Sequence, residues 1–144
     1  MPLSSSLQIS ASGLTAERLR LDVISNNIAN ANTPGFRRQQ VVFAAREAGS
    51  SFASHLAGAR GKAAGSGMGV EVESVQPDLS TDFKIVRDPN NPHADKDGNV
   101  KMPNVEPVIE MVDLISSSRA YEAGVTAINA AKQMEQRALE IGRA

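Results

Sequence analysis

Residues 7–36 read LQISASGLTAERLRLDVISNNIANANTPGF, and they predict one long amphipathic helix that ends at a turn. One face carries an apolar residue every seven positions, with one more beside it: Leu7, Leu14, Leu21, Ile28 and Ile24. At that spacing the residues drift slowly along the helix, which is typical of a coiled-coil seam. Pro34 disfavours helical geometry at Thr33, and Pro34-Gly35 suits the centre of a type II turn. We therefore expect a helix from about residue 4 to residue 31, within an N-terminal segment 1–36.

The same helix has a second apolar face, roughly opposite the first. Its members are Ile9, Ala16, Leu19 and Val23. A single partner helix covers only one face of an amphipathic helix. The sequence therefore predicts that this helix has a second neighbour.

Residues 104–144 predict a second long helix. Its main stripe follows three-and-four spacing over about nine turns, with Ser118 as the one polar member: Met111, Leu114, Ser118, Tyr121, Val125, Ile128, Ala131, Met134, Ala138 and Ile141. A second stripe lies on its first half: Val105, Val108, Val112 and Ile115. Asn104 is the expected N-cap, Pro107 suits the first turn, and Glu106 and Glu110 favour the positive end of the helix dipole. Gly142 is the expected stop.

The middle region, 37–103, predicts short strands and loops. Val41, Val42 and Phe43 indicate one strand within 38–45, whereas the Ala/Gly/Ser-rich residues 47–69 have little to bury and are expected to be mobile. Alternation over 70–75 and again over 83–86, with a turn at Pro77-Asp78, favours a hairpin. The Asp/Asn/Pro-rich residues 88–99 are interpreted as a loop. The predicted fold class is mainly α, with two paired terminal helices and a small β-hairpin and loop region.

Composition narrows the possible functions. Aromatic residues make up 3% of the 144 residues and there is no Trp, so burial is expected to come from helix pairing. The net charge is −1 and no basic run interleaves with aromatics, so we expect no nucleic-acid partner. No apolar run is long enough to span a membrane, and the N-terminus has no basic opening followed by an apolar segment. We therefore expect neither direct membrane insertion nor a cleaved signal.

No residue pattern favours catalysis, a cofactor or a metal. Asp95, Asp97 and Asn99 resemble a calcium loop, but His93 and Asn104 fall where an aspartate and a bidentate glutamate are needed. His93 lies in a predicted loop without a nucleophile motif nearby. We expect that the protein is not an enzyme, with no catalytic, cofactor-binding or metal-binding residues.

Two motifs resemble a known family. Residues 21–36, LDVISNNIANANTPGF, closely resemble the N-terminal signature of the flagellar axial proteins of rod and hook. Matches scattered over residues 88–134, including Asp88-Pro89, Val100 to Val105, Ser118-Arg119 and Lys132 to Met134, are similar to basal-body rod proteins of the FlgC type. The motif residues singled out are Asn26, Asn27, Asn30, Thr33, Pro34, Gly35, Pro103, Asn104 and Arg119.

The resemblance implies a structural subunit of the proximal rod, the hollow shaft that transmits motor torque and passes exported subunits. It implies that the terminal helices form the inner coiled-coil layer of a tube. Implied partners are copies of the same chain, other rod proteins, and the membrane-ring and export-gate base of the basal body. It also implies a periplasmic location, reached through the flagellar type III export apparatus without cleavage.

Alternatives remain open at this stage. Asn26, Asn27 and Asn30 either fix axial register by hydrogen bonds to neighbouring subunits, as a buried Asn fixes register in a coiled coil, or simply cap their own helix. Another axial subunit of rod or hook would share the Asn-rich motif. A soluble helical adaptor module would use the same apolar stripes.

Overall fold

The computed structural model describes residues 2–46 and 69–142, which contain a helix, four strands and a second helix in that order. Helix α1 spans Pro2–Ala29 and helix α2 spans Pro107–Ile141. The strands are β1 Gln39–Ala45, β2 Val70–Pro77, β3 Lys84–Arg87 and β4 Asn99–Met102. The predicted combination of two long terminal helices with a small β region is confirmed. The stretch expected to be mobile, 47–69, lies outside the described residues except for Gly69.

A tight turn follows α1, as the sequence predicts. Gly35 has a φ of +77°, the left-handed geometry that glycine adopts without strain. The Phe36 amide donates to the Thr33 carbonyl at 3.1 Å and so closes the turn. The Gly35 amide donates to the Lys101 carbonyl at 2.9 Å, which fastens the turn to β4.

The start of α2 differs from the prediction. Glu106, not Asn104, occupies the N-cap position and makes no side-chain cap hydrogen bond. Pro107 follows, and its missing N–H removes one of the donors that a cap would satisfy. The Asn104 side chain instead bonds to the backbone of Arg38, Asp78 and Thr81. The expected end is confirmed, since the Gly142 amide donates to the Ala138 carbonyl at 3.1 Å.

The strand pairing also corrects the prediction. β1 pairs with β2 and β3 pairs with β4, both antiparallel, so the expected hairpin between 70–75 and 83–86 is wrong. Val41 opposes Val75 and Phe43 opposes Val72, which brings apolar side chains together across the strands. The Asp78 amide continues this ladder by donating to the Arg38 carbonyl at 2.8 Å. Because β2 stays paired with β1, residues 78–83 lead away to a separate sheet.

The two helices pack antiparallel. Asn27 Nδ2 donates to Glu110 Oε2 at 3.0 Å, and a Cβ placed on Gly124 would lie 2.7 Å from Leu14 Cδ2. From the first contact to the second, the residue number decreases from 27 to 14 in α1 and increases from 110 to 124 in α2, so the two helices run in opposite directions. Gly124 thus permits a close approach of the helices.

The face of α2 that packs on α1 shares Leu114, Tyr121 and Ile128 with the predicted stripe but differs by one residue at the positions between them. Its buried and half-buried residues alternate three and four apart: Glu110, Leu114, Ser117, Tyr121, Gly124 and Ile128. The predicted members Met111 and Val125 lie outside it and are exposed. The apolar pattern missed every second residue of this face, because Glu110, Ser117 and Gly124 are not large apolar residues.

The second apolar face of α1 packs on the protein's own β1–β2 sheet. Ser12 Oγ accepts a hydrogen bond from the Val70 amide at 3.0 Å, and the Arg20 guanidinium lies 5.8 Å from the centre of the Phe43 ring. Ala16 and Val23, both from this face, are only 3% and 8% exposed. The prediction of a second neighbour is confirmed, and α1 lies between α2 and the sheet.

Candidate assembly site

One end of the helix pair is held by a polar cluster, the polar junction, formed by Asn27, Arg38, Asn104 and Glu110. Asn27 is 1% exposed. Its Oδ1 accepts from the Gln39 amide at 2.9 Å, while its Nδ2 donates to the Gln39 carbonyl at 2.8 Å and to Glu110 Oε2 at 3.0 Å. One amide side chain therefore joins the end of α1, the start of β1 and the start of α2.

Glu110 is the charged centre of the polar junction. It is 1% exposed, and its Oε1 lies 2.6 Å from Arg38 Nε. Arg38 Nη2 also reaches Asp113 Oδ2 at 3.4 Å, one turn further along α2. A buried carboxylate is costly unless it is paired and hydrogen-bonded, and here both of its oxygens have partners. The pair therefore fixes how α2 meets β1.

Asn104 connects the polar junction to the turn that follows β2. Its Oδ1 accepts from the Arg38 amide at 2.8 Å, and its Nδ2 donates to the Asp78 and Thr81 carbonyls at 3.2 and 3.1 Å. Within that turn, hydrogen bonds from the Ser80 hydroxyl, and then from the Ser80 amide and Thr81, lower the pKa of the Asp78 carboxyl from 3.8 to about 2. The turn is thus held by an ionised aspartate at neutral pH.

The structure separates the three asparagines of the Asn-rich motif. Asn30 Nδ2 donates to the Asn26 carbonyl at 2.9 Å, and Thr33 Oγ1 donates to Asn30 Oδ1 at 3.2 Å, which is local capping of the end of α1. Asn27 makes its hydrogen bonds within the protomer. Neither of the two alternatives describes Asn27 in the protomer, because its nitrogen and oxygen are buried and bonded to Gln39 and Glu110. A role of the motif in axial register stays a prediction.

Other motif residues lie near the polar junction or on the surface. Pro103 is buried next to Asn104, whereas Arg119 is exposed on α2. Sequence reasoning missed Arg38 and interpreted Glu110 as a helix-dipole charge. The signal for Glu110 was its place in the three-and-four repeat with Leu114 and Tyr121, where a charge needs a partner.

The predicted seam residues divide into two groups. Those that are buried or half-buried within the protomer are Leu7, Leu14, Leu21, Ile24, Ile28, Leu114, Tyr121 and Ile128. Those that are exposed are Met111, Val125, Met134 and Ile141, with Ile141 78% exposed. The first group builds the protomer, and the second is available to another molecule.

A compact group of exposed apolar side chains covers the first half of α2. This outer ridge comprises Val108, Met111, Val112 and Ile115, whose exposed fractions are 70%, 51%, 61% and 52%. At about 100° per residue, Ile115 lies roughly 160° around α2 from Ser117, which is buried on the inner face. The outer ridge thus points away from α1. A cluster of this kind is typical of a protein interaction site.

Metal-ligand groups and membrane-spanning helices are both absent from the described residues. Across 2–46 and 69–142, no three His, Cys, Asp or Glu side chains are grouped so that they could hold a metal ion. Neither described helix combines the length and hydropathy needed to cross a membrane.

Comparison with known proteins agrees with an assembling subunit. Residues 7–37 match the model of the flagella basal body rod protein family, and residues 96–141 match that of the flagellar basal body rod FlgEFG protein C-terminal domain. The flagellar basal-body rod protein FlgC of Bacillus subtilis is 45% identical, with 96% of this chain and 97% of that protein aligned. This chain belongs to the FlgC family of basal-body rod proteins.

Other FlgC proteins align over nearly the whole chain. That of Borreliella burgdorferi is 44% identical over 98% of both chains, and that of Escherichia coli O6:H1 is 38% identical over 99% of this chain and all of that protein. The chain is therefore a structural rod subunit of the flagellar basal body. Of the polar junction, Asn27 lies within the first family match and Asn104 and Glu110 lie within the second, whereas Arg38 is one residue beyond the first.

Proposed function

We propose that this rod subunit polymerises in the proximal rod, beside copies of itself and other rod proteins, through the surfaces that one protomer leaves uncovered. The observation that carries the proposal is the outer ridge. Four large apolar side chains lie exposed on one face of α2 while the opposite face of the same helix is packed on α1. Burying apolar surface between subunits supplies the main driving force for association.

The paired helices suit a shaft that transmits torque. In this proposal α1 and α2 form part of the coiled-coil inner layer of a hollow tube, through which exported subunits pass. The exposed seam residues Met111, Val125, Met134 and Ile141 supply contacts between neighbouring subunits. Torque then reaches the outer β region through the polar junction, whose hydrogen bonds and ion pair join both helices to β1.

The remaining partners and the location follow from rod assembly. The base of the proximal rod contacts the membrane-ring and export-gate part of the basal body, and the rod itself crosses the periplasm. The subunit reaches this position through the flagellar type III export apparatus and keeps its N-terminus.

Genetic complementation with an outer-ridge variant tests this function. A strain that lacks the gene is expected to be non-motile, and the natural chain restores both motility and isolated basal bodies that contain it. Val112→Ser combined with Ile115→Ser should fold, as judged by helical circular dichroism, but should fail to restore motility. Ala127→Ser, also exposed on α2, is the matched control and should restore it. Motility without the gene, or basal bodies that lack the natural chain, would contradict the proposal.

A further inference from the structure

Helix α2 packs on α1 with a face that is not its most apolar one. Of the described elements, α2 packs only on α1. The inner face that does so and the apolar stripe predicted from the sequence share Leu114, Tyr121 and Ile128. Between these residues the inner face has Glu110, Ser117 and Gly124, where the stripe has Met111, Ser118 and Val125. At about 100° per residue, the centres of the two sets lie roughly 50° apart around α2. A small rotation of α2 would therefore exchange one set for the other.

Apolar burial by itself favours the stripe over the inner face. Ser117 is 1% exposed, and its hydroxyl has no hydrogen-bond partner within the described part of the chain, which is unfavourable for a buried polar group. Gly124 has no side chain to pack on α1. Met111 and Val125 meanwhile stay 51% and 36% exposed. Something other than apolar burial must therefore select the observed rotation.

The polar junction supplies that selection. Glu110 lies on the inner face, with Oε1 2.6 Å from Arg38 Nε and Oε2 3.0 Å from Asn27 Nδ2. With its side chains a helix has a radius of about 5–6 Å, so a rotation of roughly 50° moves the end of a side chain by about 5 Å. Asn27 cannot follow, because its amide is also bonded to Gln39. A buried carboxylate that loses its partners is strongly unfavourable, so the junction fits only the observed rotation.

We infer that the polar junction fixes the rotation of α2 so that the apolar stripe stays on the surface for neighbouring subunits. This inference rests on the proposed function, which assigns Met111 and Val125 to contacts between subunits. Without the junction, α2 turns by roughly 50° and the protomer covers these side chains with its own α1. A buried polar group that selects one packing arrangement over another has the same role in coiled coils. The junction thus keeps part of the assembly surface free until a neighbour arrives.

Two disulfide pairs report the rotation of α2 in the free, folded chain, since the natural sequence has no cysteine. Leu14→Cys with Gly124→Cys should crosslink in the observed rotation, because a Cβ on residue 124 lies beside Leu14. Leu14→Cys with Val125→Cys should crosslink efficiently only after rotation. Adding Glu110→Ala should raise the rate of the second crosslink about tenfold or more, because the buried pair contributes more than the free energy that a tenfold change requires.

Two further variants complete the experiment. Glu110→Gln keeps the shape of the side chain but not its charge, and should change the crosslinking in the same direction to a smaller extent. Glu106→Ala is the matched control, because Glu106 is exposed and makes no cap hydrogen bond, and it should leave both rates unchanged.

The outcomes separate this inference from the proposed function. Unchanged crosslinking in both Glu110 variants would overturn the inference, as would equal crosslinking of the two pairs before any change at Glu110. Loss of helical circular dichroism in both variants would also overturn it, because the junction would then maintain the fold without choosing between rotations. If a Glu110→Gln chain with a rotated α2 restores motility as well as the natural chain does, the rod function stands and the junction has no role in assembly. Failure of the natural chain itself to restore motility would overturn the proposed function.

Discussion

The two helices of this rod subunit use similar apolar repeats in different ways. Helix α1 has two apolar faces, and the protein's own α2 and β1–β2 sheet cover much of both: Ala16 and Val23 are nearly inaccessible, whereas Ile9 and Leu19 stay 38% and 37% exposed. Helix α2 has one face packed on α1 and carries the exposed outer ridge on the other. Apolar periodicity therefore identifies surfaces that need partners, but the fold decides which partner belongs to the same chain. Helix α1 organises the protomer, and in the proposed function α2 is the helix that contacts other molecules.

Breaking the polar junction should have the largest effect, because it removes what holds the two helices in this arrangement. Glu110→Ala leaves Arg38 and Asn27 without their buried partner and should lower the free energy of unfolding by about 3 kcal/mol. Glu106→Ala is the control, since Glu106 is exposed and makes no cap hydrogen bond, and it should change stability by less than about 0.5 kcal/mol. Urea denaturation measures both. Equal losses would show that Glu110 acts only as a helix-dipole charge.

A matched valine substitution compares the two helices themselves. Val23→Ala on α1 should lower the free energy of unfolding by about 2 kcal/mol, because it removes buried methyl groups and leaves a cavity. Val112→Ala on the outer ridge should cost less than about 0.5 kcal/mol in the free chain. Thermal and urea unfolding of the purified variants give both values. A large loss from Val112→Ala would mean that the outer ridge is part of the protomer core.

The close approach of the helices at Gly124 predicts a smaller, coupled effect. Gly124→Ala alone gains helix propensity but brings its methyl group against Leu14. In a Leu14→Ala background the same substitution should be stabilising, and the double-mutant cycle should give a coupling of about 1 kcal/mol. Additive substitutions would show that the helices do not touch at this point.

The smallest expected effect is the response of the Asp78 turn to pH. The folded pKa of Asp78 is lowered from 3.8 to about 2, so the stabilisation is complete above the first value and is lost as the pH falls towards the second. Asp78→Asn should remove this part of the pH dependence. An NMR titration of the Asp78 carboxyl should have its midpoint near 2. A midpoint near the ordinary value would mean that the hydrogen bonds from Ser80 and Thr81 do not form in solution.

The sequence was sufficient to predict both helices, the turn at Pro34-Gly35 and the end of α2 at Gly142. These features depend on periodicity and on backbone preferences that are local. The strand partners could not be predicted from the sequence. Alternation shows that a strand has two different faces, but it does not show which strand lies beside it. Only Leu114, Tyr121 and Ile128 of the inner face of α2 were predicted, because Glu110, Ser117 and Gly124 between them do not look like core residues. The suitability of Glu110 and Gly124 depends on Arg38, Asn27 and Leu14, which lie far away in the sequence.

Cysteine labelling of the two helices tests the division between them most directly. Ile115→Cys on the outer ridge should react rapidly with a maleimide in the free folded chain and become protected in isolated basal bodies. Val23→Cys on α1 should be protected in both, because its cover belongs to the same protomer. Equal reactivity of Ile115→Cys in the free chain and in basal bodies would contradict the assignment of α2 as the assembly helix.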